Sequence, residues 1–125
     1  MFGLFGLFGK SKQLTALEVE LRAAGLQPRL LHDSIKLTVL RLLPEGGKAA
    51  RPDELRGAAQ LLAYCILGPD DFAEATSVRA KDTVERRLEA VLDHPDALDA
   101  QIVLLALQTD NADPSVVARF EVEDR

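Results

Sequence analysis

Residues able to do chemistry are few in this chain, and they are scattered. Two histidines stand beside carboxylates, in His32-Asp33 and Asp93-His94-Pro95-Asp96, the pairing that acid–base work or metal ligation would use. A metal site needs ligands converging from three or four positions on rigid, supported elements. The second cluster sits instead at a helix junction, where His94 or Asp93 would cap a helix opened by Pro95 and the acids would favour its dipole. His32 takes the same structural reading.

Cys65 is the only cysteine, which excludes an intramolecular disulfide and a cysteine zinc cage and suits a reducing compartment. No flanking Lys or His marks a depressed thiol pKa, so it reads as a small core hydrophobe. Tyr64 beside it would reach a polar partner at one end or lie in an interface. Gly46-Gly47-Lys48, with Arg41, Arg51 and Arg56, is the most basic stretch. A glycine turn feeding a helix N-terminus can bind an anion, which makes Lys48 and Arg51 candidate contacts for a phosphate or lipid headgroup. The P-loop spacing and its terminal Lys-Ser or Lys-Thr pair are absent, as are a nucleophile elbow, a dinucleotide fingerprint, an HExxH helix and an aromatic-interleaved RNA motif. The expectation is a non-enzymatic chain with no cofactor, no metal and no catalytic residue. The rival is a small-molecule or metal-binding, enzyme-like helical domain with a cavity near His32, Cys65 and Tyr64.

These residues need elements to hold them. The 125 residues suffice for one ordinary domain that folds without disulfide or metal. Pro28, Pro44, Pro52, Pro69, Pro95 and Pro114 fall where the hydrophobic pattern breaks and divide the chain into segments of helical length. In residues 11–24, Leu14, Leu17, Leu21 and Ala24 make one stripe, Thr15 and Glu18 a capping box, and Gly25 a stop. Residues 29–43 are apolar around most of a wheel, while Ile35-Lys36-Leu37-Thr38-Val39 also alternates as a strand would. Helix is the reading, because 15 residues without a turn signal exceed a usual strand of roughly 5 or 6.

Pro52, with Asp53 and Glu54 in its first turn, opens the clearest helix, running to Leu67 and stopping at Gly68-Pro69. It is apolar on two sides, through Leu55, Ala58, Ala59, Leu62 and Ile66 and through Gly57, Leu61 and Tyr64, so a central position is expected. A short helical turn over residues 70–76 and a surface helix over 77–92 follow. The segment after Pro95 again carries two apolar stripes, Leu98, Ile102 and Leu105 beside Ala100, Val103 and Leu107. Such a helix is either central or half covered by a second copy of the protein. Asp113-Pro114 reads as N-cap and first position of a last helix through Val117 and Phe120. The expected fold is a single compact all-α domain of five to seven helices over residues 11–125, preceded by an apolar N-terminal arm over residues 1–10.

That arm holds Phe2, Phe5 and Phe8 of the chain's five phenylalanines, in Phe2-Gly3-Leu4-Phe5-Gly6-Leu7-Phe8-Gly9, with Lys10 and Lys12 directly after. Its Gly-Leu-Phe-Gly composition resembles a viral fusion peptide over those few residues, and it is also similar to the Gly-Leu-Phe-Gly repeats of nuclear pore proteins. The first resemblance implies interfacial insertion of Phe2, Leu4, Phe5, Leu7 and Phe8, with Lys10 and Lys12 on acidic headgroups. The same residues would otherwise anchor in a groove on a partner or another copy, or fold back into their own core. Residues 1–56 carry nine Lys or Arg against six Asp or Glu, and residues 57–125 carry six against fourteen, so a basic half precedes an acidic one. This asymmetry suits an anionic membrane surface or an acidic partner and disfavours nucleic acid. The start lacks the features of a secretory leader, and abundant Ala, Leu and Arg suggest a GC-rich bacterial genome. The expectation is a cytoplasmic adaptor, peripheral at the inner face of the membrane if the arm inserts.

Overall fold

A computed structural model describes the backbone of residues 2–44 and 50–123 and the side chains of residues 12–44 and 50–120. Among them the fold is all-α, one compact domain of seven helices with no strand: α1 (Phe2–Ala23), α2 (Asp33–Leu42), α3 (Pro52–Leu67), α4 (Pro69–Ala75), α5 (Val78–Asp93), α6 (Leu98–Leu107) and α7 (Pro114–Glu123), with a 3-10 turn, Pro28–Leu30, before α2. The stretch over residues 35–39 that alternates as a strand would is thus wholly helical, within α2. The expected boundary at residue 11 is not a helix start, since α1 runs through it. Glu18, read as half of a capping box, serves instead in an ion pair to α2.

Gly25 ends α1 at φ 92°. Leu26 N–H donates to the Leu21 carbonyl and Gly25 N–H to that of Arg22, both at 3.0 Å, which satisfies two orphan carbonyls of the last turn. Glycine takes this left-handed conformation without the penalty a Cβ would bring. A Cβ here would also lie 2.3 Å from the Ala75 Cβ of α4. The helix end therefore packs directly on α4.

α3 occupies the centre, packed on α1, α6, α4 and α5, while α2 bridges α1 and α6. Leu55, Ala58, Ala59, Leu61, Leu62, Ala63, Tyr64, Cys65 and Ile66 are all buried, so both apolar sides found neighbours. Arg51 N–H donates to the Glu54 carboxylate at 2.9 Å, closing the first turn. The C-terminal end has a defect built into the sequence. The Cys65 carbonyl would take its helical bond from residue 69, but Pro69 has no N–H. Asp113 N–H supplies the bond at 2.8 Å, and the Asp113 carboxylate accepts from the Ser115 and Val116 N–H groups to cap α7. One residue thus completes the end of α3 and the start of α7. Gly68, at φ 87°, lets them meet: a Cβ there would stand 2.8 Å from the Asp113 carboxyl carbon.

Ser77 caps α5, its hydroxyl accepting from Ala80 N–H at 2.9 Å. The expectation that Pro95 opens the next helix is corrected. His94 is the C-cap of α5, its N–H donating to the Ala90 and Val91 carbonyls, and a turn through Pro95 delivers the chain to Ala97, the N-cap of α6. His94 and Asp93 therefore end one helix rather than begin another.

Candidate interaction surface

α6 builds the surface of interest because it is apolar nearly all round. Its Ala100, Ile102, Val103 and Ala106 are buried, but Leu104 keeps 55% of its surface exposed. The last turn of α5 brings Val91 and Leu92 alongside, Leu92 being 41% exposed. Phe120 approaches from α7, and Pro95 closes the end of the resulting groove. Its volume is about 310 Å³, and its walls are mostly apolar. Glu89, Asp93 and Asp96 stand exposed around Leu92 in sequence, and none makes an ion pair among the described residues. None of the three lines the groove, but Asp93 and Asp96 directly follow Leu92 and Pro95, which do.

The polar groups elsewhere are spent on structure. Lys36, read at first as part of an alternating segment, is 2% exposed. Its ammonium donates to Glu18 Oε2 at 2.6 Å and to the Pro28 carbonyl at 3.1 Å, and pairs with Asp33 Oδ1 at 3.1 Å. It locks α1, the 3-10 turn and α2 together. Arg87 of α5 forks onto the two Asp99 oxygens at 2.9 and 3.0 Å and donates to the Gly57 carbonyl at 3.1 Å, tying α5, α6 and α3. Neither residue was singled out by spacing. A charge at mid-helix facing a partner far along the chain leaves no local signature.

His32, the N-cap position of α2, is exposed and lines an open polar cleft of about 660 Å³ with Glu18, Arg22, Arg29, Asp33 and Lys36. Tyr64 and Cys65 do not line it. Tyr64 donates its hydroxyl to Glu85 Oε2 at 2.6 Å and stacks edge-on against Phe72, with ring centroids 5.7 Å apart. Burial first, then this hydrogen bond to a carboxylate, raises its pKa above the ordinary range. Cys65 is fully buried, and burial pushes its thiol up to about 12. A thiol held protonated in this way is no nucleophile at neutral pH.

Arg51 is exposed, its guanidinium 3.6 Å from both Asp53 and Glu54. Lys12 is exposed on α1. Lys48 and the side chains of Phe2, Leu4, Phe5, Leu7, Phe8 and Lys10 lie outside the described residues. Among the described residues, no cluster of three His, Cys, Asp or Glu is placed to hold a metal ion, no buried side-chain polar atom lacks a hydrogen-bond partner, and no helix is long and apolar enough to cross a membrane. No family model, no curated protein and no solved structure matches this chain.

Proposed function

We propose that this protein is a non-enzymatic helical adaptor that attaches to a larger protein assembly through its phenylalanine-rich N-terminal segment. Binding rests on desolvation of Phe2, Phe5 and Phe8, at about 1.5–3 kcal/mol for each fully buried side chain, with Lys10 and Lys12 setting orientation against acidic partners. The observation that carries this reading is a division of labour within the molecule. Its buried polar side chains are consumed in holding helices together, while of its exposed large apolar residues, Val19, Leu30, Val78, Leu92 and Leu104, the last two line one groove. Such a surface suits docking better than chemistry. The described part of α1 packs into the core through Leu14, Leu17 and Leu21, with Ala24 just after its end.

The test is affinity capture with the full chain and with a variant lacking residues 2–9, from soluble and membrane fractions kept apart. Loss of a specific soluble partner on truncation, with helicity retained, is the expected result. Recovery only with membranes would replace the protein partner by a lipid surface, and unfolding of the truncated chain would assign the segment to its own core.

A further inference from the structure

We infer that the groove between α5, α6 and α7 receives the N-terminal segment of a second copy of this chain. The inference rests on the attachment reading above and names the partner: the chain itself. Three observations converge. The groove has mostly apolar walls and is small, about 310 Å³, at the low end of small-molecule pockets and suited to aromatic anchors. The N-terminal sequence supplies such anchors at helical spacing, Phe5 and Phe8 three residues apart and Leu4 and Phe8 four apart, the pattern by which one helix lies in the groove of another. Gly3, Gly6 and Gly9 alternate with them and leave room for close backbone approach.

Charge matches as well. Lys10 and Lys12 follow the anchors, and Glu89, Asp93 and Asp96 lie unpaired beside Leu92. A basic segment meeting an acidic border steers the encounter and fixes its direction. Three phenylalanines at roughly 150–250 Å² each, counted on both sides of the contact, bring the buried area to about 1,000 Å² or more, the size a specific interface needs. The occupant is taken from another molecule because α1 packs chiefly on α3 and α2 and makes no comparable contact with α5, α6 or α7 among the described residues. The contact joins two different surfaces, so it closes only when exchanged reciprocally or around a ring.

The experiment is sedimentation velocity over a wide concentration range on the full chain, the variant lacking residues 2–9, the variant Leu104→Lys, and an equimolar mixture of the two variants. Leu104 is more than half exposed, so the lysine disturbs the groove without entering the core. The full chain is expected to associate with rising concentration and less so at high salt. Each variant alone is expected to stay monomeric, and their mixture to form a one-to-one dimer, one supplying the segment and the other the groove. A full chain that stays monomeric, a Leu104→Lys variant that associates as the full chain does, or a mixture that stays monomeric overturns the inference. A monomeric full chain that still captures a soluble partner through residues 2–9 overturns it while leaving the adaptor reading in place. Loss of helicity on truncation overturns both.

Discussion

Replacing Glu18 by leucine should destabilise this protein more than replacing Lys36 by methionine, although the two residues share one ion pair. The Lys36 ammonium is 2% exposed, Glu18 24% and Asp33 73%. Removing Glu18 leaves a buried cation with a carbonyl and one water-exposed carboxylate 3.1 Å away, and breaking a buried pair from one side costs about 3–5 kcal/mol. Partial relief from Asp33 places Glu18→Leu near 3 kcal/mol. Lys36→Met conserves the aliphatic stem and frees Glu18, which can turn to water. Its main cost is the orphaned Pro28 carbonyl, about 1–3 kcal/mol. The double variant removes the stranded charge and should be about 2 kcal/mol more stable than the sum of the two single losses predicts. Urea unfolding of the four proteins, compared at fixed m-value, reads this directly. Additivity within about 0.5 kcal/mol, or a costlier Lys36→Met, would refute the argument that the cation is the buried partner.

Gly25→Ala should cost more than about 2 kcal/mol, because a left-handed φ and a Cβ 2.3 Å from the Ala75 Cβ act together; thermal unfolding measures it. Arg87→Lys should lose about 2 kcal/mol and fail to mimic arginine, since an ammonium cannot span both Asp99 oxygens and the Gly57 carbonyl; an Arg87→Met variant of similar stability would confirm that the fork, not the charge, matters. Cys65 should resist thiol reagents in the folded protein at pH 8 and react only on unfolding. Its thiol pKa is raised from an ordinary 9.0 to about 12, so above pH 9 the unfolded chain releases a proton that the folded chain retains. Stability is therefore full below pH 9 and falls by up to about 1.4 kcal/mol per pH unit from there to pH 12, with Tyr64 adding to the loss above pH 10; Cys65→Ala should flatten the first part of that decline.

Helix ends written in local chemistry were legible in the sequence. Pro52 and Gly68-Pro69 bounded α3, Gly25 stopped α1, and Asp113-Pro114 opened α7, because proline, glycine and a capping carboxylate act within a few residues. The central place of α3 followed from two apolar sides. What was missed depends on distance along the chain. Thr15 and Glu18 fit a capping box locally, yet Glu18 pairs with Lys36, 18 residues on, within a longer helix. Pro95 suits a first helical position, yet His94 ends α5 there and a turn intervenes. The groove exists only where α5, α6 and α7 meet. Its one trace in sequence is the second apolar stripe on α6, whose Ala100, Val103 and Leu107 line it, whereas the exposed Leu104 belongs to neither stripe.

The central claim is that residues 2–9 attach and the rest folds. Parallel affinity capture with the full chain and with the chain lacking those residues, each first shown by circular dichroism to be helical, tests it most directly. The account predicts two folded proteins, of which only the full chain retains a specific protein partner. The same captured proteins from both, or a truncated chain without helicity, would contradict it.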